Sequence, residues 1–165
     1  MRANLLRDRW DEQRARPGYA WKRRGLGRAL GGELLGASLY ELPPGQATRP
    51  YHWHWANEEL LIVVAGKPTR RTPDGERDLQ AGDVVLFRRG REGAHAVSNR
   101  NDAPARVLIV STMVHPEIAE YPDSGKLLVG AGAPPTPGQE APLELFFRKQ
   151  SMVGYWDGEP THANE

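Results

Sequence analysis

The chain alternates short apolar runs with turns that are rich in glycine and proline. Five runs have the composition and length of strands, at residues 33–42, 59–65, 83–87, 94–99 and 106–112. Two further strands are expected at residues 68–71 and 76–79, because Thr72-Pro73-Asp74-Gly75 places proline and glycine where a tight hairpin needs them. This spacing predicts an all-β sandwich or barrel.

The two ends of the chain have weaker patterns. Apolar residues at positions 5, 6 and 10 predict a short charged helix over residues 4–16. After Tyr121 we expect irregular chain, since residues 131–142 contain four prolines, and then a return to a strand at residues 143–147. We therefore divide the chain into an N-terminal extension at 1–30, a barrel core at 31–118 and a C-terminal arm at 119–165 that packs on the barrel.

Composition narrows the classes of function. The chain has 165 residues, 22 basic and 21 acidic side chains and no cysteine, which predicts one domain without disulfides or thiolate metal sites. The basic cluster at residues 22–24 has acidic neighbours and no helix-turn-helix beside it, so we expect no nucleic-acid partner. The apolar run at residues 60–65 is too short to cross a bilayer, and residues 1–10 lack a signal peptide's apolar stretch. We expect a cytoplasmic protein that binds no membrane.

The strongest chemical signal is a histidine pair, His52 and His54, followed by the carboxylate of Glu59. On a strand, residues two apart point to the same face, so the two imidazoles would aim at one point. On a helix the two rings would lie roughly 200° apart. Two neutral imidazoles and a carboxylate suit a divalent first-row transition metal. The pair therefore predicts a metal site on an extended segment.

These residues lie in a longer pattern that resembles the first motif of the cupin family. The pattern begins at Gly45, continues through His52, His54 and Glu59, and ends at Gly66. It has one residue more after its first glycine than the family usually has.

A second segment resembles the second cupin motif. It contains Gly82, Gly90, His95 and Asn99. Arg88 stands where the family usually has proline, and the loop between Gly90 and His95 is longer than usual. Residues 34–45, 121–126 and 155–159 also resemble an uncharacterised group of small single-domain bacterial cupins.

The resemblance implies a fold and a ligand set. The fold would be a double-stranded β-helix, the jelly-roll barrel of the cupins. The site would hold one divalent transition metal ion per chain (iron, manganese, nickel or zinc). Its ligands, carried over from the two motifs, would be His52, His54, Glu59 and His95. Glu58 is the rival carboxylate, although a shift by one position would turn its side chain to the other face of the strand. The spacing to Gly66 favours Glu59. His115 and His162 are expected to lie outside the metal centre.

Such a site leaves two classes of function open. The first is a metal-dependent enzyme, of the oxygenase or the isomerase and lyase type, that acts on a small polar molecule. The second is a barrel that binds or senses a small molecule without turnover. Candidates for an additional acid or base near the metal are Tyr40, Glu41 and Glu58.

Two sets of side chains suggest partners. Arg88, Arg89 and Arg91 precede His95, and a guanidinium from this loop could hold an anionic ligand. The aromatic rings of Tyr51, Trp53 and Trp55 alternate with the histidines and should face away from the metal. Because such outward aromatics need covering, we predict a homodimer.

Overall fold

The computed structural model describes residues 2–132 and 143–160. These residues form thirteen strands, one four-residue α-helix and three 3-10 helices, at Arg91–Gly93, Pro122–Ser124 and Lys149–Ser151. In chain order the strands and the α-helix are β1 (Glu12–Arg14), β2 (Trp21–Gly25), α1 (Leu26–Ala29), β3 (Leu35–Leu42), β4 (Trp53–His54), β5 (Glu59–Ala65), β6 (Thr69–Thr72), β7 (Gly75–Asp78), β8 (Val84–Phe87), β9 (Ala96–Ser98), β10 (Ala105–Thr112), β11 (Glu117–Tyr121), β12 (Lys126–Ala131) and β13 (Leu143–Arg148).

The strands form three antiparallel sheets. One has the order β1-β2-β3-β10-β5-β8, the second β13-β12-β11-β4 and the third β7-β6-β9. Strands that are distant in the chain lie side by side, such as β3 and β10 or β4 and β11. The architecture is an all-β double-stranded β-helix, which confirms the predicted fold class.

The core lies on one face of the six-stranded sheet, as the period of two along each strand requires. Val107 on β10 is paired with Tyr40 on β3 and with Val63 on β5, and all three are buried. The buried core cluster consists of Trp21, Tyr40, Leu42, Leu61, Val63, Leu79, Phe87, Val97 and Val107. Glu59 lies on the same face of β5 as Leu61 and Val63, so the barrel interior leads directly to the candidate site.

The hairpin between β6 and β7 confirms the turn prediction. Thr72 is paired with Gly75, which leaves Pro73 and Asp74 as a two-residue loop. Gly75 has a φ of 102°, a conformation that strongly favours glycine. The turn sequence therefore set both the position and the register of this hairpin.

The predicted N-terminal helix is wrong. Within residues 4–16 the chain makes a turn and then strand β1, which is paired with β2. Arg23 on β2 donates to the carboxylate of Glu12 at 2.6 Å, and the backbone N–H of Gly25 donates to Asp11 at 3.1 Å. A short isolated helix has marginal stability in water. Here residues 12–14 pair instead with strand β2, whose Trp21 is buried in the core, and this pairing is more stable than the helix.

The chain after Tyr121 is more regular than the sequence predicts. Residues 126–131 form β12, which is paired with β11 on one side and with the predicted strand β13 on the other. Residues 133–142, which contain the four prolines, lie outside the described part of the chain. The division into extension, barrel core and arm at positions 30 and 118 stays a prediction. Strands from both sides of position 30 share the six-stranded sheet, and strands from both sides of position 118 share the four-stranded sheet.

Among the described residues, no helix has the length and apolar character that a membrane span requires.

Candidate metal centre

The two motif histidine segments are joined through their backbones. The backbone N–H of His52 donates to the carbonyl of His95 at 3.0 Å, and that of His95 donates to the carbonyl of His52 at 2.8 Å. His54 follows on β4, which is paired with Ala119 on β11. The extended conformation predicted for the histidine pair is therefore present, and it places both imidazoles beside His95.

Three of the predicted ligands converge. His52, His54 and Glu59 each offer a donor atom, and these atoms lie within 4.8 Å of one another. The Oε2 atom of Glu59 is 3.8 Å from Nε2 of His54 and 2.9 Å from Nε2 of His95. The ring centroids of His52 and His95 are 4.7 Å apart. The structure thus brings all four predicted residues to one place.

Hydrogen bonds to backbone carbonyls orient two of the imidazoles. Nδ1 of His52 donates to the carbonyl of Pro50 at 2.8 Å, and Nδ1 of His95 donates to that of Gly93 at 2.9 Å. A carbonyl only accepts, so each Nδ1 carries the proton and Nε2 is left as the donor atom toward a metal. Nε2 of His95 lies 2.9 Å from Oε2 of Glu59, and a cation bound between them would contact both atoms.

His54 shows the same need for a cation. Both of its ring nitrogens are buried, and neither has a hydrogen-bond partner. Two carboxylates face them, with Oε2 of Glu59 at 3.8 Å from Nε2 and Oε2 of Glu117 at 3.7 Å from Nδ1. A buried, unpartnered imidazole between carboxylates costs free energy unless it binds a proton or a metal. The residues present therefore fit a divalent ion.

The electrostatics favour the ligand forms of two of these residues. Burial, with the neighbouring His95 and His54, lowers the pKa of His52 to about 3. Burial would raise the pKa of Glu59, but the hydrogen bond from His95 and the charges of the histidines lower it to about 2. For His54 burial also acts to lower the pKa, and here the carboxylates of Glu117 and Glu59 outweigh it and raise the pKa. At neutral pH His52 is neutral and Glu59 is ionised, as metal ligands must be.

Glu117 is a site residue that the sequence does not reveal. Its Oε1 atom accepts the backbone N–H groups of Trp55 at 3.1 Å and Ala56 at 3.3 Å. Its Oε2 atom accepts the side-chain amide of Asn57 and faces Nδ1 of His54. Carboxylates commonly orient metal-binding imidazoles in this way. Glu117 lies outside both motifs, and only the pairing of β11 with β4 brings it to the site.

Two aromatic rings stack on the imidazoles of His95 and His52. The ring of Phe87 stacks on His95 at 3.8 Å with an interplanar angle of 4°. The ring of Tyr121 stacks on His52 at 5.6 Å with an interplanar angle of 16°. Tyr121, like Glu117, comes from β11, and its role at the site was not predicted. These rings hold the imidazoles in place and exclude water from one side of each.

The loop before His95 packs back on β4. The backbone N–H of Gly90 donates to the carbonyl of His54 at 2.7 Å, and Gly90 has a φ of 78°. At Gly93 a Cβ atom would lie 1.6 Å from the carbonyl oxygen of Arg88, so only glycine fits there. The additional loop residues therefore fold against the site, and their glycines position His95.

Two of the three candidates for an additional acid or base, Glu41 and Tyr40, make their contacts away from the predicted ligands. The carboxylate of Glu41 forms ion pairs with Lys22 at 2.9 Å and with Arg106 at 2.7 Å. The ring of Tyr40 packs edge-on against Trp21 at 5.4 Å, two cross-strand rows away from Glu59. The assignments of Glu41 and Tyr40 near the metal are therefore wrong.

Glu58 takes a different position from Glu59. It lies one residue before β5, and its backbone N–H donates to the hydroxyl of Thr112 at 3.1 Å. Glu59 is the carboxylate that joins the convergent group.

The arginines of the loop are exposed, and contact between any of them and an anionic ligand stays a prediction. The guanidinium of Arg91 lies 5.8 Å from the ring centroid of Trp53. The ring of Trp53 is buried, whereas Trp55 is 47% exposed and donates through Nε1 to Glu120 at 2.9 Å. His115 is not part of the convergent group, and His162 lies outside the described residues.

The sequence and the structure are similar to those of known proteins. The cupin domain family matches residues 38–111. No curated protein matches the chain. A sugar phosphate isomerase of the cupin superfamily from Silicibacter pomeroyi is 28% identical, with a TM-score of 0.71 over 83% of this chain and 82% of that one. A candidate sugar phosphate isomerase from Acidithiobacillus ferrooxidans is 23% identical, with a TM-score of 0.71 over 84% and 82% of the two chains.

A third solved structure shows the same fold. The polyketide cyclase RemF from Streptomyces resistomycificus is 20% identical, with a TM-score of 0.55 over 68% of this chain and 80% of that one. The jelly-roll sheets, the convergent histidines and glutamate, and the match over residues 38–111 agree with one another. Residues 38–111 of this chain form a cupin domain.

Proposed function

We propose that this protein is a metal-dependent enzyme that acts on a small polar molecule, with one divalent ion held by His52, His54, Glu59 and His95. The convergence of three donor atoms within 4.8 Å carries the proposal. Nε2 of His95 meets the same carboxylate at 2.9 Å. Iron, manganese, nickel and zinc all accept such a mixed set of imidazole and carboxylate ligands.

The exposure of the four residues indicates from which side a ligand could reach the site. The side chains of His54 and Glu59 keep exposed fractions of 19% and 16%, whereas that of His95 keeps only 4%. We therefore expect a ligand to enter from the side of His54 and Glu59, whereas the ring of Phe87 covers His95. A bound divalent ion would supply Lewis acidity toward a carbonyl or hydroxyl oxygen.

Within this class we propose an isomerase. The support is the similarity to the sugar phosphate isomerase from Silicibacter pomeroyi, at 28% identity over most of both chains. An oxygenase, and a barrel that binds its ligand without turnover, are the alternatives.

Metal content and turnover together test the proposal. We expect protein purified without added metal to contain about one transition metal ion per chain by elemental analysis. We also expect it to interconvert an aldose phosphate and a ketose phosphate, observed by NMR, and to lose this activity after chelation. Oxygen uptake with a substrate would favour an oxygenase instead. A ligand that raises the thermal midpoint without turnover would favour the binding protein. Protein that takes up no metal would overturn the proposal.

Glu117 should act through His54 as a positioning residue. We expect Glu117→Gln to weaken metal binding by about 10- to 100-fold, because the amide no longer offers a charged acceptor to Nδ1 of His54. Glutamine keeps one oxygen for the backbone N–H groups of Trp55 and Ala56, so the fold should survive. Competition with a chelator of known affinity measures the effect.

Glu120→Gln is the matched control for this variant. Glu120 lies on the opposite face of β11 and bonds Lys149 and Trp55. Metal affinity should be unchanged in it. Equal affinities in the Glu117→Gln and Glu120→Gln variants would contradict the positioning role.

We also propose that two copies of the chain pair through their C-terminal strands. Eight large apolar side chains in residues 143–156 are each at least 40% exposed, namely Leu143, Leu145, Phe146, Phe147, Met152, Val153, Tyr155 and Trp156. The four aromatic ones alone expose on the order of 500 Å², if each has about 200 Å². A standard interface buries about 800 Å² per partner. This segment is therefore large enough to form most of an interface.

A second copy offers a matching surface. On the outer face of the six-stranded sheet, Leu60 pairs with Leu86 and Ile62 pairs with Val84. Leu86 and Val84 are 53% and 58% exposed in the single chain. Reciprocal packing of residues 143–156 on this face would cover both apolar surfaces and close a two-fold dimer.

Light scattering at micromolar concentration tests the pairing. We expect a mass near twice the 18.4 kDa of one chain. The double variant Tyr155→Ser and Trp156→Ser should shift the protein to the monomer. Leu6→Ser, which changes a 73% exposed apolar residue elsewhere, should leave the dimer intact. A monomeric mass for the unchanged protein would refute the pairing.

A further inference from the structure

One row of the four-stranded sheet places basic side chains beside the candidate metal centre. Tyr121 on β11 is paired with Lys126 on β12, which in turn is paired with Arg148 on β13. Directly paired residues in an antiparallel sheet point to the same face. We call Tyr121, Lys126 and Arg148 the cationic row.

The cationic row is on the face that carries the site. His54 is paired with Ala119, two residues from Tyr121, so the side chains of His54 and Tyr121 share one face of the sheet. At about 3.4 Å per residue, the cationic row lies about 7 Å along β11 from Ala119. The ring of Tyr121 connects the two places, because it stacks on His52 at 5.6 Å.

Within residues 2–132 and 143–160, no carboxylate forms an ion pair with the cations of this row. Nζ of Lys126 lies 5.3 Å from the ring centroid of Tyr121, and Arg148 donates to the backbone carbonyl of Ser124 at 2.9 Å. The ion pairs among the described residues include neither Lys126 nor Arg148. Their charges are therefore available to a ligand.

The neighbouring carboxylates are engaged or distant. Asp123 is bound by Arg71 at 2.5 Å, and Glu117 bonds Asn57 and faces His54. Glu144 lies on the same face of the sheet, but it is paired with Gly130, two rows from Arg148.

Arg49 adds a further positive charge. It is half-buried, with its guanidinium 5.7 Å from the ring of Trp21. Burial and the carboxylates of Glu144, Glu59 and Glu117 raise the pKa of Tyr121, and the charge of Arg49 acts to lower it.

We propose that the cationic row is an anion subsite for a ligand with a phosphate or carboxylate group, whose other end lies at His52, His54, Glu59 and His95. Lys126 and Arg148 donate to the anion, and the hydroxyl of Tyr121 adds a third donor. The subsite rests on the proposed function for its place in catalysis, and it assigns to that function an anionic substrate class. It also places the anion on β11, β12 and β13 and not on the loop of Arg88, Arg89 and Arg91.

Calorimetric titration with inorganic phosphate tests the subsite in the metal-loaded protein and in the same protein after chelation. We expect the double variant Lys126→Gln and Arg148→Gln to bind phosphate about tenfold more weakly or worse in both forms, because two charge-assisted donors are lost. The double variant Arg88→Gln and Arg89→Gln loses the same charge from exposed positions and should bind phosphate as the unchanged protein does. Circular dichroism and the thermal midpoint confirm that both variants fold.

The outcomes separate the subsite from the proposed function. Equal phosphate affinity in the Lys126 and Arg148 double variant and the unchanged protein would overturn the subsite, even if the protein binds metal. Weakening only in the Arg88 and Arg89 variant would also overturn it, and would assign the anion to the loop. Weakening in the Lys126 and Arg148 variant, in a protein that takes up no metal, would support the subsite while the metal-dependent function fails. Acetate in place of phosphate then tells which anion the row prefers.

Discussion

The Glu59→Gln variant is expected to bind divalent metal at least about 100-fold more weakly than the unchanged protein. This loss should exceed the 10- to 100-fold expected for residues that only orient ligands, because both a ligand and its negative charge are removed. Glutamine has the same shape as glutamate. In the unchanged protein Nε2 of His95 lies 2.9 Å from the carboxylate of Glu59, and the glutamine side chain can still form a hydrogen bond with it. The variant should therefore fold, and competition with a chelator should detect the loss directly.

Glu58→Gln is the matched control, since it removes the same charge one position earlier in the chain. The side chain of Glu58 is not part of the convergent group, so metal affinity should stay within about twofold of the unchanged protein. The reverse result, with affinity lost in Glu58→Gln and kept in Glu59→Gln, would show that the carboxylate ligand is misassigned.

The largest effect on stability is expected for Asn99→Ala. Asn99 has no exposed surface, and its side-chain amide donates to the carbonyls of Leu42 at 2.9 Å and Ala103 at 2.8 Å. Its Oδ1 atom accepts the backbone N–H of Asn101 at 3.1 Å. Alanine would remove all three bonds and leave the carbonyl of buried Leu42 without this partner, at a cost of about 1–3 kcal/mol for such a group. We expect the free energy of unfolding to fall by about 3–5 kcal/mol in total.

Thermal and denaturant unfolding measure this loss. A decrease of 3 kcal/mol or more corresponds to about 6–12 °C in Tm for a chain of this size. Asn101→Ala is the control, because its side chain makes an exposed bond to the carbonyl of Lys67 and should cost less than about 1 kcal/mol. Similar losses in the two variants would contradict the structural role of Asn99.

The strands could be predicted because their signals are local. The apolar runs at residues 59–65 and 106–112 predicted strands that the structure contains, and the turn at residues 72–75 fixed a register. His52, His54 and Glu59 were predictable for the same reason, since they lie within eight residues of one another. His95 was added only through the resemblance to the second cupin motif.

The remaining features depend on pairing between distant segments. Glu117 and Tyr121 reach the site because β11 pairs with β4, more than sixty residues earlier, and no property of their own sequence indicates this. The N-terminal prediction was wrong because pairing with another strand overrode the local pattern. Local propensity favoured a helix at residues 4–16, and pairing of β1 with β2 determined the structure. Sequence patterns predict the individual strands well, whereas the contacts of each strand depend on which distant strand it pairs with.

The reciprocal backbone bonds between His52 and His95 have a consequence for the choice of metal. These bonds, together with the carbonyls of Pro50 and Gly93, set the distances between the imidazoles before any ion arrives. Divalent ions of similar radius would then meet the same spacing of ligands. They would compete for the site with affinities in the Irving–Williams order. If the proposed site holds a metal, its identity would then follow from the supply of ions where the protein folds.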